Sequence, residues 1–323
     1  MTAQPATIRE LLRKLLVPMW LRPERALWDA HYLEALGRLL PGTLPAPSLE
    51  LGCTDGVPTF VLLGGEFEDA FDDYDAVDTE LGARGLDYFD RATPEEGDRR
   101  IARRPDRTFD VGVSWRSTQI SRARRLDLYR SLHEVDHGGP LPMCGDGQFR
   151  TVLATNLFWE SDVQLEASLA EIGRVLHPGG ALLTILPDAD QASHLLLERL
   201  RRGGEAWAAR IDRGIADNSR RQARPLADWV AFLRSHGLEI RHHERFLPST
   251  VSLVYQLGLR PMFPVLIDMY RRLRAASPEG LLDLKRHWMA TVFDLLSPLC
   301  DPAALAAAGA CPLWHAFKLG RAV

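Results

Sequence analysis

Short apolar runs alternate with segments of helical period over most of the chain. Runs at 49–52, 109–114, 132–136, 150–156 and 181–186 each stop where a polar or glycine-bearing loop begins, and they predict strands one to five. Between the fourth and fifth, Leu165, Leu169, Ile172 and Leu176 share one helix face, and His177-Pro178-Gly179-Gly180 predicts the end of that helix. Ile120, Ala123, Leu126 and Tyr129 repeat at helical spacing after the second run. Residues 225–236, with Leu226, Trp229, Val230 and Leu233 on one face, predict a last core helix, followed by a sixth strand at 238–241. A seventh, at 313–319, is the natural antiparallel addition. Alternation of this kind predicts an α/β fold, a seven-stranded mostly parallel sheet with helices on both faces.

Three excursions and an N-terminal extension interrupt the alternation. Residues 1–45 read as a helical cap broken near Pro18 and Pro23. The α/β domain then takes 46–246 and 312–323, with inserts at about 64–107 and 188–224, and residues 247–311 form a helical insert or lid containing helices at 262–273 and 281–296. The first insert runs from an acidic stretch (66–75) to a basic one (99–107) and is too long for a bare loop. Inserts and cap are expected over the carboxyl ends of the strands, where open α/β sheets bind ligands. In the first helix Ile8, Leu11, Leu12, Leu15, Leu16 and Met19 fall on one face beside Arg9, Arg13 and Lys14. That face packs on its own domain or, in the alternative reading, segment 8–19 rests on a membrane surface.

Composition narrows the function classes. A net charge of -4 over 323 residues gives no general attraction to nucleic acid. The four cysteines stand far apart with no CxxC pair and no His at zinc-finger spacing, so no metal is expected and a reduced, cytoplasmic setting is the simplest reading. No stretch approaches the roughly 18 apolar residues of a membrane span.

The first loop, Glu50-Leu51-Gly52-Cys53-Thr54-Asp55-Gly56, has the composition of a tight strand-to-helix turn whose backbone N–H groups can approach a ligand. Glu50 at the strand end could hold an ammonium group. Such a turn also forms without any ligand. Four segments in order, however, resemble those of the class I S-adenosylmethionine-dependent methyltransferases over about 48–186. They are the first loop; Leu132-His133-Glu134-Val135-Asp136 with Pro140-Leu141-Pro142; 149–156; and Ile172-Gly173-Arg174-Val175-Leu176-His177-Pro178-Gly179-Gly180-Ala181-Leu182.

The resemblance implies a Rossmann-like fold and an S-adenosyl-L-methionine cradle. Glu50 would face the amino group, and Gly52, Cys53, Thr54 and Gly56 would shape the turn. Asp136, with His137 beside it, would face the adenine amine, Leu141 would lie against the ring, and Asn156 would border the methionine end. Asp136 as a turn cap is the alternative. Relatives usually carry an acidic residue at the end of the second strand for the ribose hydroxyls; here that position is Ser114. In a competing alignment the second strand is 74–77 and the ribose acid is Asp78.

Methyl transfer from a sulfonium needs alignment in a water-poor pocket and no obligatory catalytic residue. For a hydroxyl acceptor a base would help, and His137, His194, His242, His243 and His287 are unranked candidates. As neighbours in a strand, His242 and His243 would point to opposite faces, making a poor metal pair. Trp20, Arg22, Trp159, Tyr255 and Arg260 are the candidates for an acceptor wall; tryptophans wedging the cap onto the sheet are the alternative for Trp20. The expected activity is methyl transfer to a small-molecule or lipid- or sugar-linked acceptor, in the biosynthesis of a natural product or envelope component. The alternative is a methyltransferase-like fold serving as a binding or scaffold subunit. A nicotinamide-dependent dehydrogenase would need a GxGxxG turn that this loop lacks.

Overall fold

The structure is a computed structural model and describes residues 5–40, 42, 44–72, 74, 77, 100–157, 161–194, 222–257 and 263–322. Its elements, in chain order, begin with α1 (Ile8–Leu16), α2 (Pro23–Leu39), β1 (Ser48–Leu51), α3 (Val57–Leu62), β2 (Glu66–Phe67) and β3 (Ile101–Arg103). Next come β4 (Phe109–Ser114), α4 (Ser117–Arg124), β5 (Tyr129–Glu134), β6 (Phe149–Ala154), α5 (Asp162–Val175) and β7 (Leu176–Pro187). The chain closes with α6 (Asp190–His194), α7 (Leu226–Ser235), β8 (Leu238–Pro248), α8 (Ser249–Leu257), α9 (Phe263–Ala276), α10 (Pro278–Leu296), α11 (Pro302–Ala307) and β9 (Pro312–Arg321).

Seven strands form one sheet in the order β5-β4-β1-β6-β7-β9-β8. The first five run parallel, and β9 is antiparallel to both β7 and β8. Chain order reverses between β1 and β6, so the carboxyl ends of those strands open a crevice at the point where α/β sheets take ligands. Residue alternation along the strands builds two cores. Leu153, Leu183, Ile185, Trp314 and Ala316 face α1, α2 and α3, while Leu49, Leu51, Val152, Leu182, Phe317 and Leu319 face α5 and α7. The expected fold class is therefore observed, helices covering both faces.

Several boundaries differ from expectation for local reasons. The helix at 120–129 stops at Arg124: Asp127 adopts φ 49° and Tyr129 already belongs to β5. His177 to Gly180 reads as a helix stop, yet helix α5 ends at Val175 and β7 begins at Leu176, opposite Phe149. Strand β8 runs on to Pro248 because all of it pairs with β9. The acidic and basic stretches of the first insert meet in a separate two-stranded sheet, where Arg103 pairs with Glu66 at 2.7 Å.

Helix α1 starts at a capping box, Thr7 Oγ1 accepting from Glu10 N while Glu10 Oε2 accepts from Thr7 N. Its apolar face, Ile8, Leu11, Leu12, Leu15 and Leu16, is wholly buried against the rest of the first core. Segment 8–19 therefore has no apolar face to lay on a membrane, which corrects that alternative. Each such side chain contributes about 1.5–3 kcal/mol on burial. Leu12→Ala is expected to lower unfolding stability by about 2–5 kcal/mol in denaturant titration, against near zero for a surface leucine. Among the described residues no helix is long and apolar enough to cross a membrane.

Candidate functional site

The site begins with Glu50, whose neighbours Leu49 and Leu51 point into the second core and so turn its side chain to the other face. There it is 2% exposed. Thr59 on α3 donates to Oε1 at 2.6 Å, and Tyr129 donates its hydroxyl to Oε2 at 2.8 Å. Tyr129 reaches across β4 because position 112 is glycine; a Cβ there would stand 2.6 Å from its ring. Burial pushes the Glu50 carboxyl up to about 7. Among the described residues no Lys, Arg or His forms an ion pair with it, and each oxygen keeps room for a further donor.

The turn after β1 is built from left-handed backbone: Gly52 (φ 79°), Thr54 (φ 49°) and Gly56 (φ 76°). Thr54 tolerates there what glycine would adopt freely. Gly52 and Cys53 both donate to Val113 O at 2.9 and 2.8 Å, and Asn156 Nδ2 donates to Gly52 O at 2.6 Å. The turn is thereby tied to the ends of β4 and β6. Asp55 accepts from Val57 N through Oδ1 and from Arg122 through Oδ2 at 3.0 Å, fixing the start of α3. That helix has only six residues, so its dipole offers a ligand carboxylate less than the sequence suggests. Cys53 is buried, and burial raises its thiol well above the usual range, which leaves it a loop residue and no nucleophile.

Beyond the turn the expectations divide. Ser114 has no exposed surface and donates to Gln119 Oε1 at 2.5 Å, so its hydroxyl proton is already used within the protein. The group presented at this corner is instead the Gln119 amide, which is partly exposed. Next to it the Trp115 ring lies against the Gly52 position and stacks on His137 with centroids 4.2 Å apart. Burial, then Arg116, lowers the His137 pKa. Asp136 is exposed at the end of β5, and its carbonyl accepts from Gly139 N. Leu141 corrects its expectation: it is 1% exposed within the second core, its N donating to Glu171 and its O accepting from Arg174, and no face of it is open to a ring.

The acceptor candidates are also separated. Trp20 is buried between Tyr74 and Tyr270, with centroids at 6.1 and 5.9 Å, and its carbonyl accepts from Trp288 Nε1. It wedges the cap against α9 and α10, which corrects its placement in an acceptor wall. Arg22 Nε pairs with Glu24 Oε1 and its guanidinium lies over Phe263. Tyr255, on α8, stands 6.1 Å from Trp28 and is half-buried beside α2. Trp159, Arg260 and the competing ribose acid Asp78 lie outside the described residues.

Of the histidines, His243 faces inward and His242 outward, as alternation requires. His243 Nε2, on β8, is 2.8 Å from His315 Nδ1, on β9, and His315 Nε2 is 2.8 Å from Asp188 Oδ2, just past β7. Burial lowers His315 to about 4. His194 Nε2 is 3.3 Å from Cys311 Sγ, and His287 is exposed on α10. Among the described residues no group of three or more His, Cys, Asp or Glu could hold a metal ion.

Sequence reading missed Thr59, Tyr129 and Trp115 around the turn. It also missed the Arg25–Asp29 ion pair on α2.

No protein-family model matches the sequence, and no curated protein sequence matches it. Among solved structures the chain is similar to a SAM-dependent methyltransferase from Thiobacillus denitrificans in complex with S-adenosyl-L-homocysteine, at 14% identity over 90% of each chain and a TM-score of 0.41. It is also similar to a SAM-dependent methyltransferase from Geobacter sulfurreducens in complex with the same ligand, at 16% identity over 90% of each chain and a TM-score of 0.40. The [4+2]-cyclase SpnF matches at 16% identity over 100% of this chain and 98% of that one, with a TM-score of 0.45. On its own strand order, its single antiparallel β9 and its left-handed turn after β1, the chain has the Rossmann-like class I methyltransferase fold.

Proposed function

We propose that this protein binds S-adenosyl-L-methionine at the turn after β1 and transfers its methyl group to a small-molecule acceptor. The observation that carries the reading is Glu50: a buried carboxylate with two hydroxyl donors and, among the described residues, no ion-pair partner, next to a turn of three left-handed residues. A buried carboxylate of that kind is completed by a cation. The amino group of the cofactor's methionine end is such a cation. Asn156 and the Gly52–Gly56 backbone would border that end, Asp136, His137 and Trp115 the adenosine end. When bound, the cofactor supplies an electrophilic methyl on a sulfonium; the chain supplies alignment and exclusion of water.

The packing of the N-terminal cap against α3, which follows the turn, favours a small acceptor over a protein or nucleic acid. A cytoplasmic protein in the biosynthesis of a natural product or envelope component fits that reading. Titration calorimetry with S-adenosylhomocysteine is expected to show one site per chain, with a matching rise in melting temperature. No heat and no thermal shift at millimolar ligand would overturn the proposal.

One observation favours a second reading, a methyltransferase-like binding or scaffold subunit. The Ser114 hydroxyl is consumed by Gln119, so a ribose meets a neutral amide where a carboxylate would make stronger, charge-assisted bonds. That reading expects no S-adenosylhomocysteine binding at all, and the same titration separates the two.

A further inference from the structure

The four cysteines of this chain differ in their surroundings. Cys53 and Cys144 are buried, and burial raises both thiols. Cys300 is partly exposed, yet burial still pushes it up to about 11, and its thiol donates to Leu296 O. Cys311, at the entry to β9, is partly exposed and has a base beside it: Sγ lies 3.3 Å from Nε2 of His194, the last residue of α6.

The bonds around His194 decide which of its nitrogens carries the proton. Nδ1 is 2.9 Å from Asp190 O and 3.0 Å from Ser193 Oγ. A carbonyl can only accept, and the Ser193 hydroxyl already donates to that same carbonyl at 2.7 Å. Nδ1 therefore carries the hydrogen, and Nε2 turns its lone pair to the Cys311 thiol, which donates to it. A nucleophile, its base and an acceptor that orients the base stand in one line, the arrangement that activates a thiol.

The framework holds this line from both ends. Ser249, at the start of α8, donates its N–H to Cys311 O at 2.7 Å and accepts from Cys311 N through Oγ. Arg245 on β8 donates to Pro312 O at 2.8 Å and pairs with Asp188 and Asp190 at 3.2 Å each. One guanidinium thus ties the residue after the cysteine to the helix that carries the histidine. Three residues before His194, and so on the same side of α6, Gln191 is 7% exposed, and among the described residues its Oε1 accepts no hydrogen bond. A buried amide oxygen without a donor is costly, and an incoming N–H would complete it.

We propose that Cys311 is a modification site, a nucleophilic thiol that takes small, soft electrophiles with His194 as its base. The sulfur lone pair bonds the carbon or sulfur of the electrophile, the leaving group departs with the electron pair of the broken bond, and the thiol proton passes to His194 Nε2. With a disulfide the departing group is a thiolate, so one disulfide replaces another. The site is independent of the methyl-transfer reading.

Iodoacetamide, whose amide supplies an N–H, is the probe, and peptide mass spectrometry follows each cysteine of the full chain separately. The charged or titratable groups on the elements about the pair are Asp188, Asp190, His243 and Arg245 on β8, and His315 on β9; α8 carries no Asp, Glu, Lys, Arg or His. At pH 7 Cys311 is expected to react at least about tenfold faster than Cys300, and His194→Gln should slow Cys311 at least about tenfold while leaving Cys300 unchanged. At pH 10 a thiol ionises without help, so the native and variant rates at Cys311 should converge to within about threefold, which a merely structural role for His194 would not produce. A smaller ratio in either comparison at pH 7, or no convergence at pH 10, overturns the proposal. Labelling of Cys53 or Cys144 in the variant would mark it as unfolded, and the native protein then decides. An unassisted thiol gains roughly 30-fold in rate from pH 7 to pH 10; Cys311 should gain less than about tenfold, and a larger gain overturns the proposal.

Discussion

Gly52→Val should abolish measurable S-adenosylhomocysteine binding and lower the melting temperature by several degrees. Gly52 sits at φ 79°, where a side chain costs about 1–2 kcal/mol, and a β-branched one more. A Cβ at this position would stand 3.0 Å from the Trp115 ring and 3.2 Å from Asn156 Cβ. Neither neighbour can retreat freely: Trp115 is stacked on His137, and Asn156 is hydrogen-bonded to the Gly52 carbonyl. Overpacking of this kind adds about 1–3 kcal/mol. The turn must therefore shift, and with it the backbone groups that would meet the ligand. A loss of at least about 100-fold in affinity corresponds to roughly 2.7 kcal/mol. Retained affinity with an unchanged melting temperature would place the ligand elsewhere.

Glu50→Gln is expected to weaken S-adenosylhomocysteine about 10- to 100-fold while stabilising the unliganded protein at alkaline pH. The first effect is the loss of a charged partner for an ammonium, about 1.5–3 kcal/mol. The second follows from burial. Glu50 titrates near 7 when folded and near 4.5 when unfolded, so the folded protein holds the extra proton between those values. Its contribution is greatest at low pH, declines as pH rises from 4.5 through 7, and is constant above. Glutamine removes that decline, which amounts to about 3 kcal/mol. His31 works in the opposite sense: buried, with Nε2 3.0 Å from Leu299 O, it is lowered to about 4, and its contribution is lost as pH falls below 6.5. Denaturant titrations from pH 4.5 to 8 should therefore compare variant with native protein, where the His31 effect cancels. Glu50→Ala should destabilise instead, because Thr59 and Tyr129 lose their acceptor and a hole is left between them.

The sheet was largely legible because its strands are half-buried or fully buried runs that local pattern marks well. Leu182 and Leu183 point to different cores, as do Trp314 and His315, and that alternation is written in the chain. Turns obscured the rest. His177-Pro178-Gly179-Gly180 carries helix-stop residues, yet pairing with β6 draws Leu176 and its successors into β7. Tyr129 fits a helix face by spacing, and only the absence of a side chain at Gly112 reveals why it reaches Glu50. Position Ser114 was found correctly as the end of β4, but its engagement by Gln119, five residues on, depends on how tightly α4 follows the strand.

The cap was the least legible part. Helix α2 is buried nearly all round although charged residues interrupt it, so its sequence does not separate the Arg25–Asp29 pair from a solvated one. The tryptophans drew attention by size. Trp20 fastens the cap to α9 and α10, and Trp28 packs among Tyr32, Tyr255 and Trp314. Size marks burial, and burial alone does not distinguish a wedge from a wall.

The pairing of Glu50 with a ligand ammonium predicts a proton count. At pH 6 the free protein holds most of a proton on this carboxyl, and a bound ammonium would displace it. Calorimetry of S-adenosylhomocysteine at pH 6 in buffers of differing ionisation enthalpy should show release of close to one proton per ligand bound, absent in Glu50→Gln. Binding without proton release, or release that persists in the variant, would contradict the account.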